Sequence, residues 1–198
     1  LNQNTNNLEK ELERTLELFK QLQYEFKLDQ AINELKEQVE EQKSLLEKTE
    51  ALEKNADPSE KNKDQKKEDG DNETTKEDSG NDNTESQELS AEQEKLSEEF
   101  EKTSEKIDEL KELGEQLQQE DDLPLDEDLN DIQDQQKESK EMLKQNNPSK
   151  AKSPQSKALQ KMQKMQQQME GAESSMSMEI DMKNLETLRQ IIHGLVKL

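Results

Sequence analysis

The stretch Leu89–Leu117 reads LSAEQEKLSEEFEKTSEKIDELKELGEQL, and its spacing decides the fold class. Leu89, Gln93, Leu96, Phe100, Thr103, Ile107, Leu110, Gly114 and Leu117 recur at alternating intervals of four and three. That rhythm sets them all on one face of an α-helix with about 3.6 residues per turn. A strand would alternate in twos. Gln93, Thr103 and Gly114 interrupt the apolar seam, so this helix should depend on packing against other helices. Ser90 and Gln93 fit a capping box, which predicts a helix start near Ser90.

On the N-terminal side lies Asn55–Glu88, whose only apolar residues are Ala56 and Pro58. It carries twelve acids against five lysines. Such a tract cannot bury enough apolar area to offset the entropy of ordering, so a disordered insert is expected. Asp57-Pro58 opens it, because a proline disfavours helix at the residue before it. Ahead of the insert, residues 1–54 read as one long amphipathic helix. Leu8, Leu12, Phe19, Leu22 and Phe26 follow one 3–4 spacing, and Leu28, Ile32, Leu35, Val39 and Leu46 follow another, offset from the first. Such an offset interrupts a strict heptad. Leu16, Leu18 and Leu45 widen the stripe. A wide stripe suits a helix that touches two partners.

Beyond the coiled-coil helix at 89–120, residues 121–147 read as a turn at Pro124 and then a weak helix. Leu129, Ile132 and Leu143 keep the rhythm there, but Gln136 and Ser139 occupy its middle seam positions. Asn146-Asn147-Pro148 ends that helix. Residues 148–198 are Met-rich and then Leu/Ile-rich. Ser153-Pro154 reads as a serine cap with proline at the first helical position. Ala158, Met162, Met165, Met169, Ala172 and Met176 share a face, and Leu185, Leu188, Ile191, Leu195 and Leu198 resume it. Gly171–Ser177, rich in small polar residues, reads as a break or kink between the two halves. The expected fold is therefore all-α, an elongated coiled-coil or helical-hairpin bundle with an acidic insert. The insert reads as a loop bulging from one helical array, so that the first helix packs against those that follow.

Composition bounds the function. Of 198 residues, 26% are hydrophobic and 2% aromatic, with a net charge of -22. Ordinary globular domains are about 45–50% apolar, so little is left to wall a catalytic pocket. Nucleic-acid phosphates call for a basic surface, and anionic membranes do too. Neither is an expected partner. The charge is uneven, with Pro148–Leu198 basic and Leu89–Asn147 strongly acidic. The absence of cysteine excludes disulfides, zinc thiolates and thiol catalysis. No apolar run approaches the roughly 20 residues of a membrane span. The chain starts at Leu1 and ends inside a helical pattern, which suggests a fragment of a larger protein.

Few residues carry a chemical signal. Met162, Met165, Met169 and Met176 could form a thioether copper(I) site or an adaptable peptide groove. A packed seam is the expectation, because packing alone produces helical spacing. His193, the only histidine, lies among Ile191, Ile192, Gly194 and Leu195 and reads as structural. Asp69-Gly70-Asp71-Asn72-Glu73 suggests a calcium loop, but the required glycine and acid positions fall on Thr74 and Gly80, so the pattern fails. Glu98-Glu99 and Asp121-Asp122 are pairs expected by chance among fifty acids. Asn72-Glu73-Thr74 is a formal glycosylation triplet of the same kind. No catalytic, cofactor-binding or metal residue is expected, and the chain reads as no enzyme.

Three stretches resemble one family. They are LERTLELFKQLQYEFKLDQAINELKEQVEEQ at Leu12–Gln42, ALQKMQKMQQQME at Ala158–Glu170 and NLETLRQIIHGLVKL at Asn184–Leu198. They look like helices of large bacterial membrane-anchored proteins of unknown function. Those proteins have N-terminal membrane spans followed by a long soluble part of charged coiled-coil helices. The resemblance implies an internal piece of that soluble part, in the bacterial cell envelope and anchored at the inner membrane through segments outside this chain. It carries no catalytic residues. The expected role is scaffolding by helix–helix association, with protein partners or self-association. The alternative is a chaperone-like module holding client polypeptides on the Met-rich face. Burial of Met162, Met165 and Met169 favours the first, and an open groove along them the second.

Overall fold

A computed structural model describes residues 2–56, 79–118 and 123–195, with side chains for 9, 12–13, 15–54, 83–118 and 123–176. Four helices make up this all-α structure: α1 Asn2–Ala56, α2 Ser79–Leu117, α3 Asp126–Lys144 and α4 Pro148–Leu195. No strand occurs among the described residues. The acidic insert expected at 55–88 is cut back from both sides. α1 runs through Ala56 and α2 already begins at Ser79, while 57–78 lies outside the described residues. Ser79–Glu88 is helical, and packing accounts for it. The buried Ser86 hydroxyl donates 2.7 Å to the Leu143 carbonyl of α3, and Leu89 follows in the core.

Ser90 is therefore interior to α2 and caps nothing. Its hydroxyl donates to the Lys140 carbonyl at 3.2 Å. α4 also starts earlier than Ser153-Pro154. Asn146 sits at φ 52, and its N–H donates to the Leu143 carbonyl while the Asn147 N–H donates to that of Met142. This pair of bonds closes α3 with a left-handed residue just past the helix. The Asn147 side-chain oxygen then accepts from the Lys150 N–H at 3.4 Å, with Pro148 as the first helical residue. One three-residue corner thus ends α3 and starts α4. Pro154 lies within the helix. The stretch Gly171–Ser177 does not break it. A Cβ at Gly171 would meet nothing within 4 Å, the Ser175 hydroxyl bonds the Gly171 carbonyl, and Met176 is buried. α3 has acids Asp126, Glu127 and Asp128 in its first turn and Lys144 in its last, matching the helix dipole at both ends.

The chain divides into two units. One comprises Leu1–Glu34, Thr103–Leu125 and Lys164–Leu198, and the other Leu35–Lys102 and Asp126–Gln163. The second unit is a bundle of parts of all four helices. Leu45 and Leu52 of α1, Leu89 of α2, Leu143 of α3 and Ala151 of α4 form an apolar cluster at one level of its core. Each buried leucine is worth roughly 1.5–3 kcal/mol relative to exposure. At the surface Lys48 meets Glu92 at 2.6 Å, Lys140 meets Glu94 at 3.2 Å, and Lys152 meets Glu53. These pairs are solvated, so they contribute little energy, but they fit the order in which the helices sit. The first unit buries Tyr24, Leu28 and Ala31 of α1, Ile107 and Leu110 of α2, and Met165, Met169 and Met176 of α4. Lys27–Glu109 and Lys106–Glu34 pair α1 with α2 there.

Candidate functional site

The seam positions that looked weak in sequence converge in the second unit. Gln42 of α1, Gln93 of α2, and Gln136 and Ser139 of α3 are buried together with Gln155 of α4. Each sits in its helix where the four–three rhythm calls for an apolar side chain. Gln93 is the hub. Its amide donates 3.1 Å to Gln42 Oε1, and its own Oε1 accepts from Gln42 Nε2 at 3.2 Å, Ser139 Oγ at 3.1 Å and Gln155 Nε2 at 3.4 Å. Gln136 Nε2 donates to Gln42 Oε1 at 3.3 Å and meets the Met162 sulfur at 3.8 Å. The oxygens of Gln136 and Gln155 accept nothing, which leaves two carbonyls buried without a donor. Amides do no acid–base chemistry near neutral pH. What such a layer does is fix which residues lie level with one another. Sliding one helix by a turn would face a glutamine with apolar side chains and leave its partners unpaired, at about 1–3 kcal/mol per group.

The methionines divide between the units, and all those singled out are closed in. Met162, Met165, Met169 and Met176 are buried, so no open groove runs along them. Among the described residues no group of three His, Cys, Asp or Glu side chains is placed to hold a metal ion. His193 lies outside the described side chains, and the Asp69–Glu73 loop, the Asn72 triplet and Asp121-Asp122 lie outside the described residues. Glu99 is engaged by Lys95 at 3.3 Å.

A groove between α1 and α2 is lined by Glu41, Ser44, Leu45, Lys48, Glu92, Lys95 and Leu96. Its lysines are already paired with Glu92 and Glu99. Partial burial, and then the neighbouring Glu99, push the Glu41 carboxyl above its ordinary value. The opposite holds at Glu53 and Glu109, where hydrogen bonds from Lys152 and Lys27 pull the carboxyls down. Lys161 is raised by its bond to Asp131, at 2.5 Å.

The outer face of α1 is different. Leu12, Leu16, Leu18, Phe19, Leu22 and Phe26 are 55–71% exposed. At about 100° per residue, Leu12, Leu16, Phe19, Leu22 and Phe26 fall within one third of the helix circumference. Tyr24, Leu28, Ala31 and Leu35, all at 0% exposure, fall on the opposite side. The offset between two apolar spacings in this helix is thus two faces, one inside the fold and one outside. Among the described side chains from Glu9 to Phe19, every one is exposed. No family model, curated protein or solved structure matches the chain.

Both features leave a trace in the sequence that does not by itself show their role. Gln93, Gln136 and Ser139 registered as defects in single helices. A glutamine at a seam position of every helix is the signal the sequence offers, with Gln42 and Gln155 supplying it in α1 and α4. The outward stripe was legible as a second spacing, but sequence could not say which spacing would be buried.

Proposed function

We propose that this chain is a non-catalytic scaffolding segment that acts by helix–helix association, within a larger membrane-anchored protein of the bacterial cell envelope. The observation that carries the reading is the outward apolar face of α1, Leu12 to Phe26. The described seam positions of α2 as far as Gly114, of α3, and of α4 as far as Met176 are buried inside the fold, whereas this face of α1 is left open to meet a further helix. Six large apolar side chains of roughly 100–150 Å² each make a patch on the order of 700 Å², above what monomeric proteins usually leave in water. The anchor would lie outside the chain, since no described helix is long and apolar enough to cross a membrane. The envelope location rests on the resemblance of Leu12–Gln42, Ala158–Glu170 and Asn184–Leu198. The client-holding alternative loses its proposed surface, because the methionines that would form it are buried.

The test is site-specific photocrosslinking in intact cells, with the photoreactive residue at Phe19 or, as control, at the exposed Glu101 on α2. Crosslinks to a helical segment from Phe19 and none from Glu101 are expected. Equal yields at both positions would overturn the reading.

A further inference from the structure

The outward face of α1 has a symmetry that points to its occupant. Leu12, Leu16, Phe19, Leu22 and Phe26 are spaced four, three, three and four. The spacing reads the same in both directions, with Phe19 at its centre. Laid antiparallel on an identical helix, it sets Leu12 against Phe26, Leu16 against Leu22, and Phe19 against Phe19. We propose that the face is covered by a second copy of this chain, in an antiparallel pair whose twofold axis passes beside Phe19. The proposal rests on the association reading above and names its partner.

Two further observations carry it. A twofold interface must be self-complementary, each residue meeting the same partner from both sides, and a palindromic spacing satisfies that without adjustment. The area also fits, since the five side chains of the stripe, on the order of 600 Å² together, approach the roughly 800 Å² that each partner contributes to a standard stable interface. Charge does not choose the direction. One margin of the stripe carries Glu9, Glu13, Lys20 and Lys27, and the other carries Glu25 and Asp29. Antiparallel pairing matches each margin to itself and brings Lys27, which already pairs with Glu109 of its own chain, between Glu9 and Glu13 of the other copy. Parallel pairing matches opposite margins and sets Lys20 and Lys27 beside Glu25 and Asp29, so the direction rests on the palindromic spacing. The net charge of -22 opposes pairing of two copies, and salt screens that repulsion, so it should strengthen the pairing.

The chain contains no cysteine, so single introduced thiols report the geometry directly. The experiment uses the full chain, with mass by light scattering and disulfide trapping. A dimer mass is expected, rising in population from low to moderate salt. Phe19→Asp should convert it to monomer with helicity unchanged by circular dichroism, since that side chain is 63% exposed. Phe19→Cys should crosslink to itself. Leu12→Cys and Phe26→Cys should each fail alone and crosslink when mixed. Self-crosslinking of Leu12→Cys without mixed crosslinking would establish a parallel pair and overturn the antiparallel one. A monomer mass at all concentrations would overturn self-pairing altogether. The association reading would then stand or fall separately on crosslinking from Phe19 in cells.

Discussion

Gln93 concentrates the residue-scale physics of this protein. Its oxygen accepts bonds from Gln42, Ser139 and Gln155, and its amide donates back to Gln42. Gln93→Leu removes the hub and strands the others, so a loss of about 2–4 kcal/mol is expected in urea denaturation, from groups worth about 1–3 kcal/mol each. Replacing Gln42, Gln93, Gln136 and Gln155 by leucine and Ser139 by alanine together should restore or exceed the original stability. Equal losses in the single and combined variants would show that volume, and not pairing, governs the layer. Glu41 gives a pH-dependent case. Its folded-state carboxyl is raised above 4.5 by partial burial and by Glu99. The charged form therefore opposes folding above that raised value, and stability returns as pH falls through it. Glu41→Gln should raise the melting temperature at pH 7 and lose that advantage once the pH falls below about 4.5. An advantage unchanged with pH would mean that packing, not charge, explains it.

At the scale of the element, α2 shows why periodicity was a dependable guide. Leu96, Phe100, Thr103, Ile107 and Leu110 are all buried, as their four–three spacing requires. Leu110→Asp places a charge where exposure is 0% and should largely unfold the helix. Lys111→Asp exchanges a partly exposed side chain paired to Asp108 and should lower the melting temperature only slightly. Comparable losses in the two variants would place the register wrongly. Caps were read less well than faces. Ser90 and Gln93 satisfied a capping pattern, yet both side chains point to other helices. A short motif specifies a local option, and tertiary packing took these residues for other bonds. The Asn146-Asn147-Pro148 corner is both an end and a start, because Asn147 with Pro148 carries the start signal of α4 as well.

At the scale of the whole molecule, the tract between α1 and α2 separates what is dispensable from what is built in. Removing 61–76 and keeping the flanks should leave helicity and melting nearly unchanged, because closing a shorter loop alters the entropy only weakly. Removing 55–88 should destabilise the fold, since it takes away Ser86, buried and bonded to Leu143, together with the first turns of α2. Matching thermal melts for the two deletions would show that Ser79–Glu88 contributes nothing to packing.

By itself the sequence determined the fold class and the inward face of most helices. Those follow from the period of apolar residues, and period is a local property. It also held both apolar spacings of α1, although not their ranking. Only the tertiary structure decided that Leu28 and Leu35 go inside while Leu12, Phe19 and Phe26 stay in water, because burial depends on which neighbours arrive. The same holds for the glutamines. Each is a flaw in its own helix, and they become a bonded layer only when four helices bring them level, since a hydrogen bond needs both partners within about 3 Å.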